Sequence, residues 1–281
     1  MDKENKIRQD TAVSIVCYNT PDDELRSCLA SLVCHRLSNI YVIDNSKSPA
    51  TKKITEEFPG TIYIPNNNTG FGSAHNIALR KSLKQDMRYH LVLNSDILLS
   101  PGILEKALKY LDRHSDTGAL QPEILNSDGS PQYTVRLLPT PLDLIGRRFL
   151  PSILTAARKR KYLLQDADRK KVLQIHYMQG SFMLLRMEAL KETGLFDERF
   201  FMYPEDIDLT RRISRSWKCI YWPGGSVIHA HRQESYHSRR LLRIHIINMI
   251  KYFNKWGWIF DKERRKFNAA VLKDISTQLR Q

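Results

Sequence analysis

Val13-Ser14-Ile15-Val16-Cys17-Tyr18-Asn19-Thr20-Pro21-Asp22-Asp23-Glu24 holds the two alternating units of the chain in their first instance. Residues 13–17 form a short, apolar, β-branched run, as a strand buried on both faces requires. Pro21 and the three acids behind it open a helix, with the carboxylates facing the positive end of its dipole. Leu25, Cys28, Leu29 and Leu32 give that helix its buried stripe. Ile40–Ile43 and Thr61–Ile64 read as further strands. A helix from Ser73 carries Ala74, Ile77, Ala78 and Leu83, Leu91–Leu93 is a fourth strand, and Leu104, Ala107, Leu108 and Leu111 stripe the helix after it. Alternating strand and helix predicts an α/β fold with a mostly parallel central sheet and right-handed crossovers.

Beyond Gln121 the regularity fades. Leu137–Lys171 is punctuated by proline and reads as an excursion over the active face; Gly180–Leu185 resumes the sheet. Two helices around Trp256-Gly257-Trp258 form a C-terminal extension. The predicted organisation is one domain over 1–235, its halves dividing near 121, and a helical extension over 236–281.

The 281 residues allow a single large domain with an appendage. Four cysteines without metal-ligand spacing read as buried, reduced thiols of a cytosolic protein. Met1–Asp10 is polar, and no apolar run is long enough to span a bilayer. The expectation is a cytoplasmic protein, at most peripheral on a membrane. Net charge is +14, unevenly spread: Arg211–Gln281 holds 16 Lys and Arg against 4 Asp and Glu, and Arg147–Lys171 holds 9 against 2. The remainder is slightly acidic. Two basic attachments on such a body attract anions or serve as solvated faces.

Ligands of open α/β sheets sit beyond the carboxyl ends of the strands, so the polar residues there are the first candidates. Tyr18 and Asn19 follow the first strand. Asp44 ends the second, where an acid can accept hydrogen bonds from a ribose or base; Asp-Asn-Ser is equally ordinary turn chemistry. Asn66–Gly72 is a polar loop with two glycines running into a helix, an arrangement that admits a phosphate to backbone and helix terminus. Asn94-Ser95-Asp96 places a carboxylate at a strand end, able to hold Mg2+ or Mn2+ against a diphosphate. Glu205, Asp206 and Asp208 stand directly behind Pro204. Acids there cap any helix, but three exceed what capping needs, and one aimed into a cleft can remove a proton from a hydroxyl. His229 and His231 can each complete a metal site with Asp96. In an extended chain they point to opposite faces, so only one is a ligand.

Together these segments resemble family 2 of the inverting glycosyltransferases, in its rhamnosyltransferase-like branch with a Rossmann-like GT-A fold. The resemblance spans about Val13–His231. It rests on residues 13–19, Ile43–Ser46, Asn68–Asn76, Leu93–Asp96, Gly180–Arg186 and Gly194–Leu209 in that order and spacing. It implies transfer of a hexose or deoxyhexose such as rhamnose from a dTDP- or UDP-linked donor to a glycan hydroxyl. The acceptor it suggests is linked to polyprenyl diphosphate at an anionic membrane surface. Asp44 takes the role of nucleoside contact; Asn68, Gly70, Gly72 and Asn76 line the donor loop, with Tyr18, Asn19 and Asn94 on the same side. Asp96 and His229 become the metal ligands, Asp206 the catalytic base with Glu205 beside it, and Gly180 and Tyr203 the acceptor side. Asn94 stands where the family's metal motif more often has an acid, which lowers the charge available to the cation.

Two other classes remain distinguishable. A nucleotidyltransferase would carry a glycine-rich, basic triphosphate loop after the first strand, where this chain has Cys17–Pro21. A nucleic-acid-binding protein fits the charge and the aromatics Tyr221, Trp222, Tyr236, Tyr252 and Trp256, but no recognition motif accompanies them. No nucleic-acid partner is expected.

Overall fold

The structure, a computed structural model, describes residues 8–146, 152–230 and 239–279. Its first part alternates as the sequence predicts: β1 (Thr11–Cys17), α1 (Asp22–Val33), β2 (Ile40–Asp44), α2 (Pro49–Glu56), β3 (Thr61–Pro65), α3 (Phe71–Lys84) and β4 (Tyr89–Asn94). These four strands lie in the order 3-2-1-4 and are parallel throughout. α1 begins behind Pro21 and buries Leu25, Cys28, Leu29 and Leu32, the stripe read from the sequence.

The second part mixes directions. β5 (Ile97–Leu99), α4 (Ile103–Arg113) and β6 (Thr117–Leu125) follow β4; a π-helical turn (Leu142–Gly146) and α5 (Ser152–Tyr162) lead to β7 (Leu173–Ile175) and β8 (Phe182–Arg186). Then come α6 (Met187–Thr193), α7 (Glu205–Ile213) and the twelve-residue β9 (Lys218–His229). β8 inserts antiparallel between β4 and β6, and β9 runs parallel to β6 while pairing antiparallel with β5 and β7. Of these strands, β5, β6 and β7 carry no separate signal in the sequence. They are short, or continuous with buried loops, and depend on β9 as their common partner.

Leu137–Lys171 is anchored differently from the excursion expected of it. Leu137, Leu138, Tyr162, Leu163 and Leu164 enter the core on the α6–α7 side of the sheet. Within the last helices, α8 (Arg239–Trp256) and α9 (Lys262–Gln278), Asn268 holds the main chain of Leu138 through both atoms of its amide. The chain breaks between these helices at Gly257, whose φ of 100° suits glycine. Met249, Tyr252, Phe253, Val271 and Ile275 belong to the same core. Burying each aromatic contributes about 1.5–3 kcal/mol. The apolar stripe of the extension is thus divided, since Ile246, Ile247 and Ile250 face outward. Among the described residues no helix is long and apolar enough to cross a membrane. All four cysteines are free, and Cys34 is exposed rather than buried.

Candidate active site

α7 begins at Glu205, with Pro204 in the capping position and Glu205, Asp206 and Asp208 in its first turn. These three acids part company at once. Asp208 is fully buried against cations: Arg212 at 2.9 Å and Lys255 at 2.6 Å, with the Trp256 indole N–H donating at 2.8 Å. It ties α8 to α7 and is not available as a base. Asp206 instead accepts the Gly180 N–H on Oδ2 (3.0 Å) and the Ile207 N–H on Oδ1 (2.7 Å). Burial pushes its carboxyl up to about 7, against the opposing pull of those two N–H groups and of Arg136. Glu205 is pushed up further, first by burial and then by the charge of Asp206, and its Oε2 is enclosed without a hydrogen-bond partner. Two adjacent buried carboxyls thus both hold a proton more tightly than an ordinary acid.

The residue before the cap, Tyr203, has φ of 92°, a conformation costly for a side chain with Cβ and held only where its surroundings enforce it. Its ring meets His245 of α8 edge-on at 4.8 Å, and the carbonyl of Met202 accepts from Asn248. On the other side, the Phe201 carbonyl accepts the Phe71 N–H at 2.9 Å. Gly70, at φ 104°, lies so close that a Cβ there would stand 2.3 Å from the Phe201 oxygen. A Cβ on Gly72 would stand 2.8 Å from Phe196. The glycines of the Asn66–Gly72 loop thus admit the close approach of the 196–201 segment.

Asn76 serves the same segment. It is buried, donating to the Phe196 carbonyl and Glu198 and accepting from the Phe196 N–H, so its amide is fully occupied in holding that segment. Asp44 is 0% exposed. It accepts from Ser46 N–H and Oγ and from Ser48 N–H, while Tyr63 donates to it at 3.1 Å. The Ser46 and Ser48 bonds are those of a turn, and the Tyr63 bond comes from β3, so the carboxylate is fixed in place where β2 ends. Neighbouring Asn45 joins Asn66 and Asn68 in an amide chain that links the end of β2 to the loop. Tyr18, Asn19 and Asn68 are exposed along the rim, with Asn19 in the left-handed region at φ 50°.

The pairing of β5 with β9 sets Ile97 opposite His229, and this register brings Asp96 to the same histidine. Asp96 Oδ2 lies 3.2 Å from His229 Nε2. Gln132 accounts for the other ring nitrogen. Its Nε2 donates to the His229 carbonyl (3.0 Å) and to Asn126 Oδ1 (2.7 Å), which leaves Oε1 facing His229 Nδ1 at 2.9 Å. Nδ1 is thus held by Gln132, and Nε2 faces the Asp96 carboxylate. A carboxylate and a ring nitrogen so placed can share a cation, and a histidine oriented through its far nitrogen is the usual arrangement of a metal ligand. Among the described residues no group of three or more His, Cys, Asp or Glu is gathered, and Asp96 and His229 stand as a pair. Asn94 reaches the end of β4 beside it, half-buried. His231 lies outside the described residues.

A Rossmann-like parallel half, a buried carboxyl at the start of a helix and an Asp–His pair at the strand ends suit a nucleotide-sugar-dependent glycosyltransferase. The comparisons with known proteins agree. The model of "Glycosyl transferase family 2" matches residues 12–194, and the chain belongs to that family. It is 31% identical over 222 residues to the rhamnosyltransferase WbbL of Escherichia coli K12, covering 76% of this chain and 81% of that one. It is 29% identical over 234 residues to an N-acetylglucosaminyl-diphospho-decaprenol L-rhamnosyltransferase of Mycobacterium tuberculosis, covering 77% and 75%. Among solved structures, GalNAc-T7 with UDP, GalNAc and Mn2+ superposes with a TM-score of 0.63 at 17% identity. The match covers 92% of this chain and about half (49%) of that one. A mannosyltransferase of Pyrobaculum calidifontis in complex with GDP-Man and Mn2+ gives 0.56 at 16%, covering 95% and 75%. These two establish the GT-A fold.

Proposed function

We propose that the chain is an inverting rhamnosyltransferase that uses a dTDP- or UDP-linked donor and acts at the cytoplasmic face of a membrane. Its acceptor is a hydroxyl of a glycan carried on polyprenyl diphosphate. The observation that carries the reading is Asp206, a buried carboxyl held by Gly180 N–H and titrating at about 7. A base of that kind matches proton removal from a sugar hydroxyl at neutral pH. The activities of both relatives support the sugar, and that of the Mycobacterium tuberculosis relative supports the lipid carrier.

In this mechanism the acceptor hydroxyl gives its proton to Asp206 as its oxygen forms a bond to the anomeric carbon of the donor. The bond from that carbon to the diphosphate oxygen breaks on the opposite face, its electron pair leaving with the nucleoside diphosphate. Gly180 N–H holds the carboxylate in line, while the loop bearing Tyr203 forms the acceptor wall. Burial of Glu205 raises its hold on its proton and so opposes a second negative charge beside the anionic donor. Tyr18, Asn19, Asn68 and Asn94 form the polar rim on the donor side, and Asp44 and Asn76 act beneath it as positioning residues. Asp96 and His229 would hold a divalent cation, Mg2+ or Mn2+, which when bound supplies positive charge for the diphosphate leaving group.

A panel of nucleotide sugars tests the reading, offered with N-acetylglucosaminyl-diphospho-polyprenol, with and without divalent metal. Transfer from a rhamnosyl donor, metal-dependent and abolished in Asp206→Asn, is the expected result. Efficient transfer from UDP-hexoses alone would replace the sugar, and transfer only to water-soluble acceptors would replace the carrier.

A further inference from the structure

A cavity of about 610 Å³ lies between α8 and the segment before α7, lined by Phe201, Arg240, Arg243, Ile244 and Ile247. One wall is Phe201, whose carbonyl receives the start of the donor-side helix α3 and which stands five residues before Asp206. The opposite wall is the amino-terminal part of α8. Here Arg240 and Arg243 are neighbours at spacing i, i+3, and the first turn holds no acid to offset them. Two guanidiniums so placed repel one another and oppose the helix dipole. Among the described residues neither is relieved by an ion pair. An anion in the cavity relieves both effects, and a diphosphate matches the paired forks.

Along the same helix the lining turns apolar. Ile244 and Ile247 follow Arg240 and Arg243 at i+4, and Ile246, Ile247 and Ile250 are 43–53% exposed. Beyond the helix end, Trp258, Ile259 and Phe260 are also exposed, Phe260 at 86%. An exposed isoleucine ridge continuing from a dibasic mouth has the chemistry of a prenyl diphosphate: a doubly charged head joined to a branched hydrocarbon chain.

We infer that this cavity is the subsite for the carrier end of the acceptor, with Arg240 and Arg243 on the diphosphate and Ile244, Ile247 and the ridge on the first isoprene units. The inference rests on the lipid-linked acceptor proposed above and assigns it a place. The diphosphate enters beside the Phe201–Tyr203 segment, so that the sugar it carries is delivered toward Asp206. α8 thereby has two faces with separate tasks, Met249, Tyr252 and Phe253 in the core and the isoleucines on the lipid.

The test compares two acceptors in detergent, N-acetylglucosaminyl-diphospho-polyprenol and an alkyl N-acetylglucosaminide that lacks the diphosphate. Loss of two charge-assisted contacts in the double variant Arg240→Gln/Arg243→Gln should raise KM for the diphosphate acceptor by about tenfold or more. kcat and the KM for donor should be unchanged, and KM for the alkyl glycoside should not move. Ile247→Ser should raise KM for the polyprenol compound while leaving that for a short-chain diphosphate analogue in place. Equal effects on both acceptors, or none on either, overturn the inference. A variant that loses binding to anionic vesicles but keeps its KM in detergent also overturns it, and identifies a headgroup contact instead. The wild-type protein separates the two proposals: if it uses the alkyl glycoside and never the diphosphate acceptor, the carrier reading fails first and takes this subsite with it.

Discussion

The pH dependence of transfer should have the signature of Asp206 alone. Its carboxyl titrates at about 7 instead of the ordinary 3.8 because it is buried. The fraction of base present at pH 5 is then about one in a hundred, and turnover should fall roughly tenfold per unit below 7. Asp206→Asn should lose about 10²–10⁴-fold in kcat and show no limb near 7, because no proton acceptor remains. Replacement of its neighbour tests the assignment: if the limb belongs to Asp206, Glu205→Gln should leave the midpoint where it is. The same shift has a stability cost. Both carboxyls are raised in the folded chain, so the unfolded chain gives up its protons first and stability falls as pH rises from about 4 through 7. For Asp206 alone that fall is at most on the order of 4 kcal/mol. Thermal melts from pH 4 to 8 should accordingly show a falling Tm, less steep in Glu205→Gln. A wild-type rate that is flat between pH 5 and 8, or a midpoint that disappears in Glu205→Gln, would show that Asp206 is not the titrating base.

The remaining predictions concern the metal pair and the grip of the tail. Asp96→Ala and His229→Ala should each weaken metal-dependent binding of a nucleoside diphosphate, and a chelator should add nothing to either; calorimetry that finds tight metal-dependent binding in Asp96→Ala removes it from the site. Gln132→Leu should lower metal affinity by about 10–100-fold, as loss of a histidine's orienting partner does, with Tm little changed; unaltered affinity would mean that His229 needs no partner. Asp261→Ala should destabilise by about 3–5 kcal/mol, because Arg211, 1% exposed, would keep its charge without its bidentate partner. Denaturant unfolding reads this directly, and a change below 1 kcal/mol would mean that water or Glu263 replaces the pair.

What the sequence makes legible follows from the range of the interactions. The parallel half of the sheet is readable because each strand and helix is coded within its own few residues, and Asp206 because Pro204 and the acids behind it mark a helix start. Gln132 is invisible, being 97 residues from His229 and joined to it only by the way β6, β9 and their flanking loops meet. Asp44 and Asn76 show the converse. A polar residue at a strand end or on a helix is a good ligand candidate only if its own neighbours leave it free, and Ser46, Ser48 and the Phe196 main chain do not. At Gly70 and Gly72 what approaches the backbone is the chain itself.

The ion pairs behind α7 bear on how such a chain can be recombined. Arg211 grips Asp261 and Glu263, Asp208 grips Lys255, and Trp256 lies under the Arg211 guanidinium at 4.1 Å. The tail therefore supplies the carboxylates that face Arg211 and one of the two cations that face Asp208. An exchange of tails between relatives, the obvious route to a new acceptor, joins halves that each hold one member of several buried pairs. A chimera cut near 235 inherits a catalytic helix whose charges have lost their counterparts unless positions 208 and 211 travel with the graft. The productive seam for swapping acceptor preference runs instead along the outer face of α8, where residues can be exchanged without disturbing the helix that holds the base.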